Sequence, residues 1–380
     1  MKPVSFFLIE VGFPAEPPVF PRDSVSGTYP FWGDYCLLDF ATANLRRWPS
    51  AELRCVAEPR FRSLGDNLTG RFGSEKIPVL AMEQGLRSLL SVLEQEASEL
   101  VFLYPFSQVC IIDQESLAAK LERPGAEIVR LSVDNTPLDL YIARRKTLVR
   151  LLREVLAASA ELYTPVDSMF SRVLEGRFEV IENLPGMTLF QNNLMQLYQC
   201  NRWLVEHLGT VQLQERIAHL NNGRAPSGEI RIEKGASVKD SFLSTNTVVE
   251  GRVEGSVLYP GVVIRRGAVV QDSVVMSNNW VGVKTQIYRS LILAHSTENA
   301  KGQPNIGEES FIGLRQSAAA NARYPTQVRD GLTVLGANAE VPRGYTIGPG
   351  CLLGAGVSAQ QLRKFKELRK GITLLCATSQ

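Results

Sequence analysis

The chain has 380 residues, of which 44% are hydrophobic and 21% charged, and its net charge is +2. This length suffices for two domains with separate cores, and the balanced charge does not indicate nucleic acid or acidic membranes as partners. No apolar stretch reaches the roughly 18 residues that span a bilayer. The 6 cysteines form no CxxC pair, which favours free thiols and a cytoplasmic protein over disulfides or zinc.

Residues 1–210 alternate short apolar runs with amphipathic patterns, which is typical of α/β folds. The opening MKPVSFFLIE is interpreted as a strand and not as a signal peptide, because no small-residue cleavage site follows its short apolar run. The predicted strands are Ser5–Ile9, Leu53–Ala57, Leu100–Leu103 and Leu138–Ala143. The predicted helices are Asp39–Arg47, Met82–Glu96, Glu115–Leu121, Lys146–Ala160 and Thr188–Leu208.

The amino-acid composition changes after the segment 221–227 (NNGRAPS). This change predicts a linker there, and domains at 1–220 and 228–380. Beyond the linker, glycine and β-branched residues become frequent, and four similar tetrapeptides recur: DSFL, GSVL, DSVV and RSLI. Their serines, at positions 241, 256, 273 and 290, are 15, 17 and 17 residues apart. This spacing is close to one coil of three short strands of about six residues each.

Further along, the period becomes six. Aliphatic residues stand at six-residue steps at Ile306 and Ile312, and again at Leu335, Val341, Ile347 and Leu353. Each is expected to point into a narrow triangular core, with glycine or another small residue at the corner that follows. The pattern predicts a left-handed parallel β-helix of the hexapeptide-repeat kind, and Gln360–Lys370 is predicted as a helix that caps it. A β-sandwich would instead show period-two strands with turns every 8–12 residues or so.

Two motifs carry a resemblance to a known family. The segment at 30–40, PFWGDYCLLDF, followed by Ala43-Asn44, resembles the PFGG-x-Y-R-x-I-D-F-x-L-S-N segment of ADP-glucose pyrophosphorylases (glucose-1-phosphate adenylyltransferases). The segment at 197–204, LYQCNRWL, resembles the Y-Y-x-A-N-x-x-L-L junction of these enzymes. The family combines a GT-A-like, Rossmann-like nucleotidyltransferase domain with a left-handed β-helix, so the resemblance covers most of the chain in order. It implies a role in glycogen or glucan biosynthesis.

The catalytic chemistry of that family depends on a glycine-rich loop after the first strand, whose N–H groups approach the nucleotide phosphates. Here the strand is followed by Val11–Pro18, VGFPAEPP. Counting back from Phe31 without gaps, Glu16 falls where the family has an arginine, Pro14 on a loop glycine and Ser26 on a lysine. A carboxylate there would repel a triphosphate, and the three prolines remove N–H donors.

The metal-binding chemistry is altered as well. The family has G-D-H after the strand that corresponds to Leu100–Leu103, and its aspartate serves Mg²⁺; here Tyr104-Pro105-Phe106-Ser107 follow. The interval between Asp113 and Leu138 is much shorter than in the family, and Glu122-Arg123-Pro124 imitates a sugar-phosphate motif out of its context. Asp167 could match a later metal carboxylate, but a lone aspartate is more often a turn or cap residue.

These losses predict a pseudoenzyme that resembles the regulatory-type, catalytically silent subunits of the family. No catalytic residue and no cofactor are predicted, with Mg²⁺ needed only if the site is altered rather than lost. A vestigial sugar-nucleotide pocket would consist of Pro30, Phe31, Gly33, Asp39 and Asn44. The alternative is that these residues merely build the turn and the helix start, with Asp39 as N-cap.

Some other residues are possible sites. Arg46, Arg47 and the basic run Arg363–Lys370 could bind a phosphorylated effector, although a solvated helix face explains each more simply. His295 could be a general base, as in β-helix acyltransferases, but it stands alone and is interpreted as a surface polar residue. The intervals 296–304 and 317–329 are predicted to protrude as loops.

Three functions follow from the sequence. The first is a noncatalytic regulatory or structural protein that forms a homo-oligomer, or a hetero-oligomer with a catalytic homologue. The second is an active sugar-1-phosphate nucleotidyltransferase with an altered site. The third is a β-helix acyltransferase or an assembly module.

Overall fold

A computed structural model describes most of the chain. The described residues are 4–10, 17–20, 31–33, 35–44, 52–59, 79–106, 108–122, 126–159, 161, 163–166, 168–178, 180–190, 194–207, 228–296 and 303–376. Contacts divide the chain into two compact units. The first unit comprises Met1–Phe13, Asp23–Tyr29 and Leu37–Phe190, and the second comprises Pro14–Arg22, Pro30–Cys36 and Gln191–Gln380. The helix before the β-helix therefore lies in the second unit, whereas the predicted limits place it in the first domain.

The first unit is built on a mixed sheet. In the described residues its strand order is β3-β2-β1-β4-β7-β6-β8, and β5 pairs with β9 in a separate antiparallel ladder. The strands are β1 Val4–Ile9, β2 Glu52–Ala57, β3 Val79–Ala81, β4 Leu100–Pro105, β5 Gln108–Ile112, β6 Ile128–Val133, β7 Thr136–Arg144, β8 Val180–Leu184 and β9 Gly186–Phe190. β1 pairs in parallel with β2 and β4, and β7 is antiparallel to β4 and β6. β1 and β4 are buried along their whole length, which is why both are almost entirely apolar; the exception in β1, Ser5, is hydrogen-bonded to Glu96 and Ser98.

In the described residues this unit has four α-helices, α1 Leu37–Ala43, α2 Leu86–Gln95, α3 Gln114–Glu122 and α4 Arg145–Ala158, and one π-helix at Met169–Leu174. The buried residues of α2 recur at steps of three and four, and α4 does the same. Both helices contribute them to one core cluster that also contains Phe7 of β1 and Val101 of β4. Each fully buried aliphatic side chain stabilises such a core by ~1.5–3 kcal/mol. The predicted Rossmann-like α/β class of this domain is confirmed.

The second unit contains α5, Leu194–His207, and a parallel β-helix with three faces. The first face contains β10 Arg231–Ile232, β13 Val248–Val249, β16 Val263–Ile264 and β19 Trp280–Val281. The second contains β11 Ser237–Lys239, β14 Arg252–Glu254, β17 Val269–Gln271, β20 Gln286–Tyr288, β22 Phe311–Ile312 and β24 Thr346–Ile347. The third contains β12 Phe242–Leu243, β15 Val257–Leu258, β18 Val274–Val275, β21 Ser290–Ile292, β23 Thr333–Leu335, β25 Leu352–Leu353 and β26 Thr373–Leu374.

Inward-facing aliphatic residues stack in columns along the three faces. On the second face the column runs through Val253, Val270, Ile287, Ile312 and Ile347. All the residues predicted at six-residue steps, from Ile306 to Leu353, lie in one buried cluster with these columns. The predicted hexapeptide-repeat β-helix is confirmed.

The third face explains the recurring tetrapeptides. Its strands bury the inward-facing residues, such as Leu258, and also the outward-facing ones, such as Val257 and Val274. Both positions of each tetrapeptide are therefore apolar, whereas the second face alternates, as in Arg252-Val253-Glu254. The residue before each serine has a positive φ, namely 43° at Asp240, 55° at Gly255, 49° at Asp272 and 42° at Arg289.

The four serines form a column of side chain to main chain hydrogen bonds. The main-chain N–H of Ser256 donates to Oγ of Ser241, that of Ser273 to Oγ of Ser256, and that of Ser290 to Oγ of Ser273, each at 3.1 Å. Each serine hydroxyl in turn donates to the carbonyl oxygen two residues earlier, at 2.7–2.8 Å. The column satisfies the N–H groups at the corner, where Ser256, Ser273 and Ser290 are fully buried.

The C-terminal helix, α6, is shorter than predicted. It spans Ala359–Leu362, starts with a capping box between Ser358 and Gln361, and buries Leu362. The prediction of a helix over Gln360–Lys370 is wrong in its extent, because Leu368 forms a parallel bridge with Ile347 and returns the chain to the coil.

The interval 317–329 does not protrude as predicted. The amide nitrogen of Asn321 donates to the carbonyl of Gly350, and its amide oxygen accepts from Tyr324 N–H and from the Thr373 hydroxyl. Ala319 and Val328 are buried, so the interval packs against the coils. Residues 297–302 of the other predicted loop lie outside the described residues.

None of the helices in the described part of the chain is long and apolar enough to cross a membrane. None of the 6 cysteines, all of them described, forms a disulfide bond, as the sequence predicts.

Candidate functional site

The carboxyl ends of β1 and β4 form the edge where an open α/β sheet binds its ligands. Ile9 pairs with Pro105 there, and Phe106 N–H donates to the carbonyl of Ile9 at 2.9 Å. Ile9, Tyr104 and Phe106 are fully buried. The residues that replace the expected metal-binding aspartate therefore serve as core.

Tyr104 brings a hydroxyl group into this packing, where it contacts Cys110. The Tyr104 hydroxyl and the Cys110 thiol lie 3.5 Å apart. Burial raises the pKa of Tyr104 well above its ordinary value. Burial also raises the pKa of Cys110 to about 12, although hydrogen bonds with Tyr104 and Asn44 oppose this rise. Both groups are neutral at physiological pH, so they offer no anionic ligand to Mg²⁺.

Two buried carboxylates follow neighbouring strands, and sequence reasoning missed both. Glu10 follows β1 directly and Glu58 follows β2. Glu58 Oε1 accepts the main-chain N–H of Val166 at 3.1 Å. Burial raises the pKa of Cys55, and the charge of Glu10 raises it further. The signal that could have found them is a carboxylate directly after an apolar strand.

Part of the predicted phosphate-loop segment contacts the β-helix within the second unit. The carbonyl of Pro18 accepts the N–H of Ala355 at 2.9 Å, and the carbonyl of Val19 accepts the N–H of Ala337 at 2.8 Å. Val19 is fully buried. The segment 17–20 thus uses its carbonyl groups toward the coils, whereas a phosphate needs N–H donors. Pro14, Glu16 and Ser26 lie outside the described residues.

Trp32 stands at the first glycine of the PFGG pattern and has a positive φ of 56°, which is uncommon for a bulky residue. Its indole stacks on Phe31 at 5.6 Å and on Trp203 at 5.9 Å between ring centroids. Its Nε1–H donates to the Cys200 carbonyl at 3.3 Å, and its main-chain N–H donates to the Tyr259 hydroxyl at 3.1 Å. These contacts offset the backbone strain, which typically costs about 1–3 kcal/mol.

The residues predicted as a vestigial pocket divide between the two units. Phe31 and Gly33 belong to the second unit. Gly33 has a φ of 71°, and a Cβ there would lie 2.3 Å from Ser244 Oγ and 2.5 Å from Phe242 Cε1. The turn therefore requires glycine because it approaches the first coil closely. Pro30 lies outside the described residues.

Asp39 and Asn44 belong to the first unit. Asp39 is buried in the first turn of α1. The Asn44 amide nitrogen donates to the Cys110 carbonyl at 2.8 Å, and its amide oxygen accepts the N–H of Ile112 at 2.9 Å. Asn44 thus joins the end of α1 to β5 through the main chain. The Asn44 contacts favour the interpretation that this residue builds the local structure. Asp39 lies inside a helix that begins at Leu37, so its prediction as N-cap is wrong.

The predicted junction motif docks α5 on the β-helix. The Tyr198 hydroxyl donates to the Asp272 carbonyl at 2.7 Å, and Tyr259 donates to Oδ1 of Asn201 at 2.6 Å. Arg202 pairs with the Asp272 carboxylate at 2.5 Å. Burial lowers the pKa of Arg202, but the hydrogen bond and the charge of Asp272 outweigh it, so the pKa is raised. The motif thus has a clear packing role, and sequence reasoning missed its partners Trp32 and Tyr259.

The remaining candidates are scattered. His295 is buried, so its prediction as a surface residue is wrong. Its Nδ1 lies 3.0 Å from the Ser296 carbonyl oxygen, and its Nε2 has no hydrogen-bond partner among the described residues. Arg46, Arg47 and Asp167 lie outside those residues. The described residues contain no group of three or more His, Cys, Asp or Glu side chains placed to hold a metal ion.

Comparison with known proteins agrees with the hexapeptide repeat and with the family resemblance. Residues 229–322 match a family model described as GlmU-like, C-terminal hexapeptide. The chain is 32% identical over 130 residues to a glucose-1-phosphate adenylyltransferase of Acetivibrio thermocellus, which is 33% of this chain and 27% of that protein. It is 31% identical over 99 residues to glucose-1-phosphate adenylyltransferases of Bacillus thuringiensis and Bacillus cereus, 25% of this chain and 26% of theirs.

The matched stretches are short. The chain spans about a quarter of the length of the curated relatives it matches, 26–27% in the proteins above. Within that span, this chain is similar to glucose-1-phosphate adenylyltransferases, as the motifs at 30–44 and 197–204 predict.

Proposed function

We propose that this chain is a noncatalytic, regulatory or structural protein of the ADP-glucose pyrophosphorylase type that acts in the cytoplasm in glycogen or glucan biosynthesis. The observation that carries the proposal is the packed edge of β1 and β4, where Tyr104 and Phe106 are fully buried. Nucleotidyl transfer requires donors and a metal ion that stabilise developing charge, and losing one such donor typically costs about 3–4 kcal/mol, or 10²–10³ in rate. Apolar side chains supply neither.

The use of the segment 17–20 supports the same proposal. Its carbonyl groups are engaged with Ala337 and Ala355, and Pro17 and Pro18 have no N–H to offer a phosphate. The residues that build the junction, in contrast, are fully hydrogen-bonded around Tyr198, Asn201 and Arg202. This chain would therefore act through its partners, either further copies or a catalytic homologue, and would need no cofactor. A phosphorylated small molecule would be its effector, and neither nucleic acid nor a membrane its partner.

The test is the release of pyrophosphate from ATP and glucose 1-phosphate in the presence of Mg²⁺. The purified chain is expected to release none above background, while a catalytic glucose-1-phosphate adenylyltransferase serves as the positive control. The same enzyme, mixed with this chain, is expected to co-elute with it and to change its response to sugar-phosphate effectors. Magnesium-dependent turnover by the chain alone would contradict the noncatalytic role, and failure to bind any such homologue would contradict the regulatory role.

A specific observation favours the altered-site enzyme as the second candidate. Glu10 and Glu58 are buried carboxylates after neighbouring parallel strands, the position from which Mg²⁺ could be held. If the chain releases pyrophosphate, Glu10→Gln should abolish the release, and the exposed Glu83→Gln should leave it unchanged. Equal activity of both variants would assign the release to a contaminant.

The third candidate, a β-helix acyltransferase, depends on His295. Its Nδ1 lies within hydrogen-bond distance of a carbonyl oxygen, which favours the tautomer with a proton on Nδ1 and an open acceptor at Nε2. The candidate requires transfer from an acyl-thioester donor that His295→Gln abolishes while the circular dichroism spectrum is retained.

A further inference from the structure

The basic run Arg363–Lys370 is not the face of a helix. α6 ends at Leu362, and the chain continues as a turn until it rejoins the coil at Leu368. Hydrogen bonds hold the main chain of this turn, since Phe365 N–H donates to the Leu362 carbonyl at 2.9 Å. The run, called the basic turn below, therefore presents its side chains from an ordered main chain.

A second basic segment, 314–330, lies beside the basic turn. Ala322 N–H donates to the Gly371 carbonyl at 2.9 Å, which places Arg323 next to the end of the turn. Arg315 stands two coils earlier, because β22, β24 and the basic turn succeed one another on the second face. Neighbouring strands are about 4.8 Å apart, so the basic residues extend over ~10 Å along the coil axis.

These two segments are strongly basic, although the chain as a whole is nearly neutral. Residues 314–330 and 363–370 together contain 8 basic and 2 acidic residues, a net charge of +6. The whole chain has a net charge of +2, so the remaining residues carry −4. Arg369 pairs with Glu367 at 3.2 Å. Six residues, called the basic patch below, are exposed and have no ion-pair partner among the described residues: Arg315, Arg323, Arg363, Lys364, Lys366 and Lys370. The basic patch therefore attracts anionic groups.

Three large apolar side chains are exposed on the same surface. Leu314, Phe365 and Ile372 are 42%, 47% and 39% exposed. Leu314 and Phe365 stand directly beside residues of the basic patch in the sequence, and Ile372 lies just beyond the basic turn. Apolar side chains next to unpaired cations suit a ligand that is both anionic and apolar, because burial of the apolar surface and charge complementarity then act together.

This combination favours an acidic protein segment over other anions. A phosphorylated small molecule would contact only part of a surface that extends over ~10 Å. Single-stranded nucleic acid stacks its bases on aromatic side chains, whereas Leu314 and Ile372 are aliphatic. Interfacial membrane helices present a long apolar face, whereas α6 has 4 residues. Recognition of acidic motifs by clusters of basic residues is, in contrast, a recurrent mode of peptide binding.

We propose that the basic patch binds a segment of another protein in which acidic and apolar residues are interspersed. The carboxylates of that segment pair with Lys364 and Lys366, and its apolar side chains cover Phe365. Because hydrogen bonds already hold the main chain of the basic turn, binding costs little ordering on this side. The proposal goes beyond the proposed function, since the partner is defined by its chemistry and need not be a copy or a homologue of this chain.

The test is the binding of labelled synthetic peptides to the full chain, measured by fluorescence anisotropy. The acidic and apolar peptide EEFEELEE is expected to bind, with an affinity that falls as salt is added. The peptide EESEESEE has the same charge without apolar side chains and should bind about tenfold more weakly. The peptide KKFKKLKK has the apolar side chains with the opposite charge and should not bind.

Two double variants locate the binding. Lys364→Glu with Lys366→Glu should weaken the binding of EEFEELEE by about tenfold or more. The matched control, Lys234→Glu with Lys239→Glu, changes the net charge equally at exposed positions outside the patch and should leave the affinity unchanged. Phe365→Ala should weaken the binding of EEFEELEE and leave that of EESEESEE unchanged. Circular dichroism checks that every variant is folded.

Several outcomes would overturn the proposal. Equal affinity for EEFEELEE and EESEESEE would mean that charge alone explains binding, and equal weakening in both double variants would mean that the basic patch is not the site. Tighter binding of phosphatidylserine vesicles or of a thymidine oligonucleotide than of EEFEELEE would assign the basic patch to a lipid or a nucleic acid. Displacement of the peptide by inorganic phosphate, beyond that by sodium chloride of equal ionic strength, would assign it to small anions. None of these measurements depends on pyrophosphate release or on a catalytic homologue.

Discussion

The first unit and the β-helix stabilise their interiors by different means. Around β1 and β4, the interior consists of large aromatic side chains, each in a unique place, such as Phe6 and Phe102 with ring centroids 5.5 Å apart. In the β-helix, small side chains repeat, and the hydroxyls of Ser256 and Ser273 accept hydrogen bonds from the neighbouring coil. One interior depends on contacts between residues distant in sequence, the other on contacts repeated at a fixed step. The destabilisation caused by a substitution should therefore extend through the first unit but remain local in the second.

The largest effect is expected from Phe102→Ala. Phe102 is fully buried and contacts both Phe6 and Tyr104. Its truncation should lower the free energy of unfolding of the first unit by ~3–5 kcal/mol. Hydrogen exchange, read peptide by peptide, should show lost protection in β1 and β4 and unchanged protection in β14–β18. Equal loss in both units would mean that they unfold as one, and Phe365→Ala provides the exposed control.

A smaller and more local effect is expected from Ser273→Ala. The change leaves the buried N–H of Ser290 without its acceptor at 3.1 Å, which should cost ~1–3 kcal/mol. The matched control is Ser241→Ala at the partly exposed start of the column, where water can replace the lost acceptor and the cost should be lower. Urea unfolding followed by circular dichroism measures both. Equal costs would show that burial of the column does not matter.

Alkaline pH should destabilise the first unit through Cys110. Burial raises the pKa of its thiol to about 12 in the folded protein, above roughly 8.5 in the unfolded chain. The unfolded chain therefore loses this proton first, and stability falls between about pH 9 and pH 12 by ~1.4 kcal/mol per pH unit. Cys110→Ala should remove the contribution of this thiol to the pH dependence of the free energy of unfolding, measured at pH 9, 10 and 11. Cys351→Ala, in the β-helix, should change the slope less, because main-chain hydrogen bonds oppose the rise in its pKa.

The smallest effect is expected at Trp32, where two variants distinguish backbone strain from side-chain packing. Trp32→Ala and Trp32→Gly both delete the stack on Trp203, but only glycine adopts a φ of 56° without strain. The glycine variant should therefore be more stable than the alanine variant by about 1 kcal/mol. Chemical denaturation of the two proteins provides the comparison. Identical stabilities would mean that the turn relaxes once the indole is gone.

The sequence allowed many inward-facing positions of the β-helix to be predicted, because they repeat at steps of six at Ile306 and Ile312 and again from Leu335 to Leu353. The two central strands could also be predicted, since β4 and residues 6–9 of β1 are apolar runs. β6 was missed, although it forms a hairpin with β7 through Asp134 and Asn135, both with positive φ. An Asp-Asn pair followed by Thr-Pro is a weaker hairpin signal than Asn-Gly.

The candidate site was harder to predict than the fold. The substitutions at Tyr104 and Phe106 were visible in the sequence, and their burial explains what replaced the expected aspartate. The roles of Trp32 and Tyr259 were not visible, because they depend on a contact between positions 227 residues apart. Glu10 and Glu58 were overlooked because a single carboxylate after a strand is common. The five predicted pocket residues remain predictions.

The serine column also determines how the length of this chain can change. Each link joins equivalent atoms one coil apart, so removing residues 257–273 would connect Ser256 to Val274 and recreate the same corner. Removing one residue fewer would place an apolar side chain on the wrong face throughout the following strand. Insertions and deletions in this domain should therefore be tolerated when they comprise a whole coil of 15 or 17 residues. Both deletions can be expressed and their folding compared by circular dichroism. Only the deletion of the whole coil is expected to give folded protein.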